Sequence, residues 1–400
     1  MIKKKTIENI PIEKKNIAIR IDIDSSYGPE GFLEPGKILR YKKIFEHFQY
    51  QKAKVTVLFE MGKNRVKWNQ KHSVEAIIDT ISQMLGLDIS YFTGGSEKDL
   101  EYALEEILPG EILFIENLAL SEEEEKDNSQ VFKKIEDWAD YYVNDAFGVS
   151  ARPYYSFTKL PKKKDAYSGV LLMNEITRLA EMFSRMKRPL TLIMGGLDID
   201  YFMIDQLLAL SEKVDHVLIT GAWVSYYVEE LGEIEREEWM DKKVLKTFNK
   251  NLSRILSQPN IHFPVDVRVY KKYDDGTYKA ANVPIDFIRQ GLKIGDVGRV
   301  SLAEYSQIIE QSEFVIWLGS VGKWWKEGLE GGTLQLFETI ERKYCDKILV
   351  GDDLIESLEG LGCDTKRFSH VHYGDGESVL RFLTSGKIEG VDNLKDPWNI

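Results

Sequence analysis

The sequence predicts an α/β protein made of two doubly wound parallel-sheet lobes, and three observations support this fold class. Short apolar runs that end in polar residues or glycine recur along the whole chain. Amphipathic stretches separate these runs, and strands that alternate with such helices indicate βαβ units and a parallel sheet. The chain has 400 residues, which exceeds one typical hydrophobic core and therefore favours two domains.

The composition is that of a soluble globular protein with an acidic balance of charge. Hydrophobic residues make up 43%, and 53 basic residues against 65 acidic ones give a net charge of −12. Nucleic acids and acidic membranes are bound by clustered Lys and Arg, so this balance argues against both partners. No apolar run reaches the roughly 18 residues that span a bilayer. The basic N-terminus lacks the apolar segment of a signal peptide, and only Cys345 and Cys363 are present. We therefore expect a cytoplasmic protein.

The first half of the chain reads as alternating strands and helices between residues 16 and 120. Residues 38–50 and 74–85 carry apolar side chains at three- and four-residue spacing, which predicts two surface helices. The acidic run at residues 121–126 is interpreted as the solvated start of a helix, because carboxylates suit the positive end of the helix dipole. The lysines at residues 162–164 are expected in an exposed loop.

The second half begins with another amphipathic helix, predicted near residues 174–188. It is followed by Pro189, a usual stop signal after a basic helix end. From there the alternation of strands and helices continues to about residue 383. This pattern predicts a second sheet-based lobe and places the boundary between the lobes at the helix.

Polar residues and glycines follow the predicted strands at widely spaced points. In open α/β sheets, ligands bind beyond the carboxyl ends of the strands, so these segments are candidate site residues. Ordinary turn chemistry is the alternative interpretation. The segments are, in chain order, Arg20-Ile21-Asp22-Ile23-Asp24, Leu58-Phe59-Glu60-Met61-Gly62-Lys63, Phe114-Ile115-Glu116-Asn117, Val143-Asn144-Asp145-Ala146-Phe147-Gly148, Leu192-Ile193-Met194-Gly195-Gly196, Phe263-Pro264-Val265-Asp266, Val315-Ile316-Trp317-Leu318-Gly319 and Ile348-Leu349-Val350-Gly351-Asp352-Asp353.

Taken in this order, the segments resemble the phosphoglycerate kinase family over about residues 16–390. The resemblance implies two lobes that close on a hinge, with residues 1–173 binding 3-phosphoglycerate and residues 189–384 binding Mg-ATP or Mg-ADP. Residues 174–188 would form the joining helix, and a tail at residues 385–400 would pack back on the first lobe. It also implies a monomer that transfers a phosphoryl group between ATP and 3-phosphoglycerate in glycolysis.

On the substrate side, the resemblance assigns roles to six positions and shows replacements at most of them. Asp22 matches the aspartate that receives a substrate hydroxyl, and Arg152 is retained from the family's basic patch. The other matched positions are Asp24 in place of an asparagine, Lys37 and Lys63 in place of arginines, and Glu60 in place of a histidine. Lysine keeps the charge of arginine but loses its planar, bidentate fork.

On the nucleotide side, the phosphate-binding lysines of the family are replaced by Asp198, at a catalytic position, and Phe202. Gly195 and Gly196 keep the first glycine loop, and Trp325 stands where the family has an acidic residue that holds the ribose. The remaining nucleotide-binding positions implied by the resemblance are Gly221, Gly319, Gly351, Asp352, Asp353, Gly374, Asp375 and Gly376.

These replacements favour a homologue whose phosphotransfer is lost or strongly reduced, acting on an unknown protein partner or a small phosphate ligand. A charge reversal at about 4 Å changes an interaction by about 2 to 8 kcal/mol, depending on the effective dielectric. A catalytically active divergent kinase and a phosphotransferase with an altered substrate remain as alternatives. If the fold gathers Asp198, Asp352, Asp353 and Asp375, either weak binding of a divalent cation, with Asp353 as a weak metal ligand, or an empty solvated acidic pocket is expected, with no triphosphate there.

Overall fold

The computed structural model describes residues 2–24, 27–28, 31–32, 35–62, 73–232, 240–273, 277–374 and 376–397. The chain divides into two compact units. The N-terminal unit comprises Met1–Glu181 and Lys387–Ile400, and the C-terminal unit comprises Met182–Gly386. The division falls within the stretch that the sequence assigns to a joining helix.

The N-terminal unit contains a parallel sheet with the order β5-β6-β4-β1-β7-β8 in its described part. Its strands, together with a two-stranded hairpin of β2 and β3, are β1 (Asn16–Ile21), β2 (Tyr27–Gly28), β3 (Gly31–Phe32), β4 (Lys54–Leu58), β5 (Ser90–Phe92), β6 (Ile112–Ile115), β7 (Tyr141–Asp145) and β8 (Asp165–Ser168). The chain leaves β1 towards β4 on one side and later returns to β7 on the other. This reversal creates a switch point at β1, where ligands of open α/β sheets bind.

Helices cover the sheet of the N-terminal unit. They are α1 (Pro35–Leu39), α2 (Lys42–Tyr50), α3 (Val74–Leu85), α4 (Glu97–Glu105), α5 (Gln130–Trp138), α6 (Tyr155–Thr158), α7 (Leu160–Lys163) and α8 (Val170–Ser184). Helix α3 has the predicted bounds because its apolar residues recur every three or four positions and are buried against the sheet. It ends at Gly86, whose φ of 66° is the left-handed conformation that glycine adopts most readily.

Two helix predictions in the N-terminal unit are corrected by the structure. The stretch 38–50 is broken between α1 and α2, where the buried Tyr41 hydroxyl accepts from the Asp22 N–H and donates to the Asp145 carbonyl. The acidic run 121–126 forms turns, and α5 begins only after Ser129, whose hydroxyl accepts from the Phe132 N–H. Most of this run is exposed as expected, but the Glu124 side chain is buried against another part of the chain.

The C-terminal unit contains a second parallel sheet with the order β11-β10-β9-β15-β16-β17. A smaller antiparallel sheet, in the order β13-β12-β14, was not anticipated from the sequence. The strands are β9 (Leu190–Met194), β10 (His216–Ile219), β11 (Ile261–His262), β12 (Asp266–Lys272), β13 (Tyr278–Pro284), β14 (Lys293–Val297), β15 (Phe314–Leu318), β16 (Asp346–Val350) and β17 (His370–His372). Strand β9 lies at a switch point, since the chain later places β10 and β15 on opposite sides of it.

The helices of the C-terminal unit follow its strands in βα order. They are α9 (Tyr201–Ser211), α10 (Ala222–Glu230), α11 (Lys242–Leu256), α12 (Arg299–Gln311), α13 (Gly331–Arg342), α14 (Asp352–Gly360) and α15 (Glu377–Ser385). A last helix, α16 (Glu389–Asp392), belongs to the N-terminal unit, where the Gly390 N–H donates to the Ser150 carbonyl at 3.0 Å. In the described part of the chain, no helix combines the length and the apolarity needed to cross a membrane.

The joining helix differs from its predicted bounds. Helix α8 begins and ends four residues earlier than the predicted range 174–188. The residue before a proline is disfavoured in helical conformation, and Arg188 precedes Pro189. A helix could not continue through this point, and α8 already stops at Ser184, from where a short connection leads into β9.

Candidate functional site

Candidate residues of the N-terminal unit meet at the carboxyl ends of three neighbouring strands. Asp22 and Asp24 follow β1, Glu60 follows β4, and Arg152 lies in the turns after β7. Strand β1 pairs with both β4 and β7, so these three loops share one edge of the sheet. Lys63, predicted for the same site, lies outside the described residues.

A buried arginine anchors this edge. Arg20, near the end of β1, is fully buried, and its Nε and Nη2 atoms each lie 3.1 Å from a carboxylate oxygen of Glu124. Nη2 also lies 3.3 Å from Oε2 of Glu60. Burial alone lowers the pKa of Arg20, but the two carboxylates outweigh it and raise the pKa, so the guanidinium stays charged.

The retained Arg152 is bound to the same carboxylate. Its Nη1 atom lies 3.2 Å from both Oε1 and Oε2 of Glu60 and 3.3 Å from the Tyr154 hydroxyl. The Tyr154 hydroxyl donates to Oε1 of Glu60 at 3.4 Å. Glu60 therefore bridges two arginines, and its side chain is only 11% exposed. The Glu60 carboxylate therefore occupies the side of the Arg152 guanidinium where an external anion would bind.

The remaining predicted residues of this edge hold the loop after β1. The Lys37 Nζ atom donates to the Asp24 carbonyl at 2.5 Å, and Oδ1 of Asp24 accepts from the Gly62 N–H at 2.9 Å. The Arg40 guanidinium donates to the Asp22 carbonyl at 3.0 Å. Lys37 is 2% exposed, so this lysine is part of the loop's internal bonding.

Asp145 lies beneath this edge, at the end of β7. Its Oδ1 atom accepts from the Leu172 N–H in the first turn of α8 at 2.8 Å, whereas Oδ2 is buried without a hydrogen-bond partner among the described residues. Burial raises the pKa of Asp145 to about 7, and the hydrogen bond and the nearby Arg40 only partly oppose this.

In the C-terminal unit, the predicted glycines form a set of close backbone contacts at the carboxyl ends of β9, β10 and β15. The Gly195 N–H donates to the Leu318 carbonyl at 2.7 Å, and the Gly196 N–H donates to the Ser320 carbonyl at 2.8 Å. Gly319 has a φ of 75°, and a Cβ atom there would stand 2.5 Å from the Gly196 nitrogen. Only glycine fits this position, because both the backbone conformation and the space exclude a side chain.

The three aspartates of this edge engage different backbone groups. Oδ2 of Asp353 accepts from the Leu197 N–H at 3.2 Å and from the Ser320 N–H and hydroxyl, both at 3.1 Å. Oδ1 of Asp352 accepts from the Gly374 N–H at 2.7 Å. Asp198 bonds its own neighbour, the Ile199 N–H, at 2.8 Å.

The expected gathering of acidic residues around a cation is therefore corrected. Among the described residues, Asp198, Asp352 and Asp353 do not form a group whose oxygen atoms all lie within 4.8 Å of one another. Burial raises the pKa of Asp198 to about 6, and the further charges that raise it belong to Asp200 and Asp241. These three side chains do not fit a shared divalent cation. Asp375, the fourth predicted member, lies outside the described residues.

A cavity of about 320 Å³ opens beside the glycine contacts. Its lining includes Gly196, Gly221, Tyr270, Lys323 and Trp325. The Lys323 Nζ atom lies 3.1 Å from the Tyr270 hydroxyl, and the Trp325 side chain is about half exposed. The size and the mostly apolar lining suit a flat ring of small-molecule size.

A buried carboxyl also lines this cavity. Asp296 accepts from the Val297 N–H at 2.8 Å and from the Gly332 N–H at 2.6 Å. Burial raises its pKa to about 7, and these two hydrogen bonds oppose the shift. Near neutral pH the cavity therefore contains a carboxyl that titrates.

Phe202 contacts a cation that the sequence did not indicate. The Arg381 guanidinium carbon, from α15, lies 5.8 Å from the centre of the Phe202 ring on α9. Helix α15 starts directly after the loop with Gly374 and Gly376. A positive charge is therefore present near the position of a replaced lysine, supplied by a different helix.

Comparison with known proteins identifies the family. A family model described as phosphoglycerate kinase matches residues 7–387. The chain belongs to the phosphoglycerate kinase family. Curated relatives include the phosphoglycerate kinase of Wolbachia pipientis wMel, 26% identical over 401 residues with 98% of each chain covered. The enzyme of Desulforudis audaxviator is 25% identical over 394 residues, covering 98% of this chain and 99% of its own.

Solved structures agree with this membership at the level of the fold. The phosphoglycerate kinase of Pyrococcus horikoshii OT3 superimposes with a TM-score of 0.74 at 23% identity, and that of Coxiella burnetii with 0.66 at 21%. Each comparison covers 98% of both chains. The predicted fold class and the predicted resemblance are confirmed.

Within this phosphoglycerate kinase family member, sequence reasoning missed four functional candidates. Arg20 belongs to one of the strand-end segments but was given no role, and Glu124 was assigned to a solvated helix start. Lys323 follows Gly322 and Arg381 lies four residues after Glu377, but the resemblance assigned no role to either position. Only the folded arrangement shows that Arg20 contacts Glu60, that Glu124 contacts Arg20, that Lys323 lines the cavity and that Arg381 lies over Phe202.

Proposed function

We propose that this phosphoglycerate kinase homologue has lost, or retains only weakly, phosphoryl transfer between ATP and 3-phosphoglycerate, and that it works as a binding or regulatory protein. The observation that carries this proposal is that the Glu60 carboxylate forms ion pairs with both Arg152 and Arg20. Phosphoryl transfer depends on cationic groups that hold anionic reactants and stabilise the charge of the transition state. Here, the arginines at this edge already pair with internal carboxylates.

A substrate anion and the Glu60 carboxylate compete for the same arginine, Arg152. A substrate anion must displace Glu60 from Arg152, which leaves the mostly buried carboxylate with Arg20 as its remaining arginine partner, or bind beside it against like-charge repulsion. Complete loss of one partner from a buried ion pair costs about 3 to 5 kcal/mol, and this range is the upper bound for the displacement because Glu60 keeps Arg20. Such a cost is comparable to much of the binding free energy of a small metabolite, since a millimolar dissociation constant corresponds to about −4 kcal/mol.

The nucleotide side supports the same proposal. Asp198 is ionised in most molecules at pH 7, because its pKa of about 6 lies below that pH. A carboxylate at a position where the family has a phosphate-binding lysine repels a triphosphate. If Mg-ATP or Mg-ADP binds, Mg²⁺ would neutralise charge on the phosphates. Asp353 is the described residue that matches the family's carboxylate on the magnesium side. The hydrogen bonds that Oδ2 of Asp353 accepts already orient that carboxylate.

A catalytically active divergent kinase, or a phosphotransferase with another substrate, is the second candidate. It is favoured by the intact glycine contacts around Gly319 and by the adjoining cavity, which would admit a ring-bearing ligand. Arg381 beside Phe202 offers a cation in partial replacement of the lost lysine. In this case Arg381 would hold phosphate oxygens, and its replacement would abolish activity.

The proposal also covers the ligand class, the oligomeric state and the location of the protein. We infer a small phosphate-bearing ligand or a protein partner, a monomeric chain without nucleic-acid or membrane partners, and a cytoplasmic location. The acidic charge balance and the two free cysteines support these inferences.

An assay of ATP formation and consumption coupled to 3-phosphoglycerate tests the proposal. The Pyrococcus horikoshii enzyme serves as positive control. We expect no turnover above background at saturating Mg-ATP and 3-phosphoglycerate. Turnover of about 1 per second or faster lies in the usual range of enzymes and would refute the loss of activity.

A further inference from the structure

A pair of histidines lies side by side on the parallel sheet of the C-terminal unit. His216 is the first residue of β10, and His262 is the last residue of the neighbouring strand β11. Nδ1 of His216 and Nε2 of His262 are 3.1 Å apart, and the ring centres are 5.2 Å apart. Both side chains are half-buried. At this separation, both nitrogens cannot carry a proton, so at least one presents a lone pair to the other.

The backbone of the sheet places the two histidines on neighbouring strands and on the same face. Strands β10 and β11 are parallel, and Leu218 is the register partner of His262. His216 and Leu218 are two residues apart on β10, so both histidines lie on the same face of the sheet. The buried Tyr305 hydroxyl donates to the His262 carbonyl at 2.8 Å. This arrangement fixes the backbone positions from which the two imidazoles extend.

A metal ion binds the free lone pair of an imidazole nitrogen. The 3.1 Å contact between the two rings already leaves at least one such lone pair within the pair. The adjacent Asp215 is already engaged, with its oxygens 2.6 Å from Nη1 of Arg188 and 2.7 Å from the Leu190 nitrogen.

The two ring nitrogens are spaced as ligands of one tetrahedral metal ion. Zinc binds histidine nitrogen at about 2.0–2.1 Å, which places two nitrogens of one tetrahedron about 3.3 Å apart. The observed 3.1 Å needs a widening of only a few tenths of an ångström. Because β11 is the edge strand of this sheet, an ion can approach from solvent, and water can supply the remaining ligands.

We propose that His216 and His262 form a two-histidine site for Zn²⁺ or a neighbouring divalent transition-metal ion. The site has two protein ligands and open positions, so it binds the ion less tightly than a closed four-ligand site. Imidazole suits zinc, copper and nickel, whereas magnesium and calcium prefer oxygen ligands. The site is independent of the proposed loss of phosphotransfer, because it shares no residue with the strand-end loops.

Zinc titration of the chelator-treated full-length protein tests this proposal. We compare the wild type with His216→Asn and His262→Asn, and with His47→Asn as a matched control on α2. Removing one of the two ligands should weaken zinc binding at this site by at least about tenfold. Even the loss of a residue that only hydrogen-bonds a metal ligand lowers metal affinity about 10- to 100-fold. The control should keep the wild-type affinity, and millimolar Mg²⁺ should not compete.

Zinc sites elsewhere in the chain are common to all four proteins, so the differences between titrations report this pair. A wild type that binds no zinc, or variants that titrate like the wild type, would overturn the proposal. X-ray absorption at the zinc edge is recorded on the loaded wild type and on His262→Asn. The wild type should show two imidazole nitrogens at about 2.0–2.1 Å and the variant fewer; a wild-type shell of oxygen ligands alone, or the same number of imidazole nitrogens in both proteins, would contradict the assignment.

Discussion

Nη1 of Arg152 lies 3.2 Å from each carboxylate oxygen of Glu60, and the same carboxylate lies 3.3 Å from Nη2 of Arg20. Glu60 therefore neutralises positive charge on two residues that come from the ends of different strands. The arrangement also explains why Arg152 alone does not make a basic patch. A surviving arginine contributes to anion binding only if no internal acid competes for it.

Replacing Asp198 with lysine should strengthen binding of Mg-ADP. The change removes a negative charge that lies near Asp200 and Asp241 and adds a positive one at the glycine loop. At the lower end of the 2 to 8 kcal/mol range for a charge reversal, the affinity rises about 30-fold. Isothermal titration of both proteins with Mg-ADP measures this.

The matched control for that substitution is Asp205→Lys, which makes the same change at an exposed position of α9. It should leave the affinity within about twofold, because Asp205 lies on α9 and not in the loop that follows β9, and solvent and salt screen an exposed charge away from the ligand. Equal gains in both variants would show a general charge effect, and no gain in Asp198→Lys would contradict the role assigned to Asp198.

The buried carboxyl of Asp145 should make stability fall as pH rises. Its pKa is about 7 in the folded chain against an ordinary value of 3.8. Between these values the folded chain holds a proton that the unfolded chain releases, so stability declines from about pH 4 until pH 7 is passed. The loss between pH 5 and pH 7 amounts to about 2 kcal/mol from this group.

Urea unfolding of the wild type and of Asp145→Asn at pH 5 and pH 7 tests this pH dependence. Asparagine keeps the acceptor for the Leu172 N–H but does not titrate. The variant should lose less stability than the wild type over this interval, although the similar carboxyl of Asp296 remains. Parallel losses in the two proteins would mean that Asp145 does not hold the proton.

Gly319→Ala should destabilise the C-terminal unit more than Gly362→Ala. The two glycines have similar φ angles, 75° and 73°, but a Cβ at Gly319 meets the Gly196 nitrogen at 2.5 Å, whereas nothing lies within 4 Å of one at Gly362. Both variants pay about 1 to 2 kcal/mol for the left-handed conformation. The steric conflict adds about 1 to 3 kcal/mol at Gly319 alone. Similar unfolding free energies for the two variants would contradict the close backbone contact.

The sequence predicted the parts of the fold that follow from local pattern. The bounds of α3 came from its three- and four-residue apolar spacing, and the strand ends came from the switch from apolar residues to glycine and acids. The acidic run around Glu124 was misinterpreted because its partner, Arg20, lies 104 residues away. A local argument from the helix dipole cannot detect a buried ion pair formed by tertiary packing.

The site was predicted residue by residue from the resemblance, and the structure shows what that approach misses. It identified Glu60 as a replacement, but not that Glu60 bonds the one retained arginine. It marked Phe202 as a lost lysine, but not that α15 places Arg381 over its ring. It also assumed that aspartates at neighbouring strand ends converge, whereas backbone N–H groups hold each of them separately.

The most direct test of the central claim is a calorimetric titration with 3-phosphoglycerate of the wild type, Glu60→Gln and Glu123→Gln. Glutamine at position 60 removes the charge that competes for Arg152 while keeping a similar shape. The control makes the same change at Glu123, which bonds Lys126 and Ser129 instead.

We predict negligible binding to the wild type and to the control, and affinity at least about tenfold higher for Glu60→Gln, as expected from one removed repulsive charge. Micromolar binding of 3-phosphoglycerate to the wild type, unchanged by Glu60→Gln, would contradict the account.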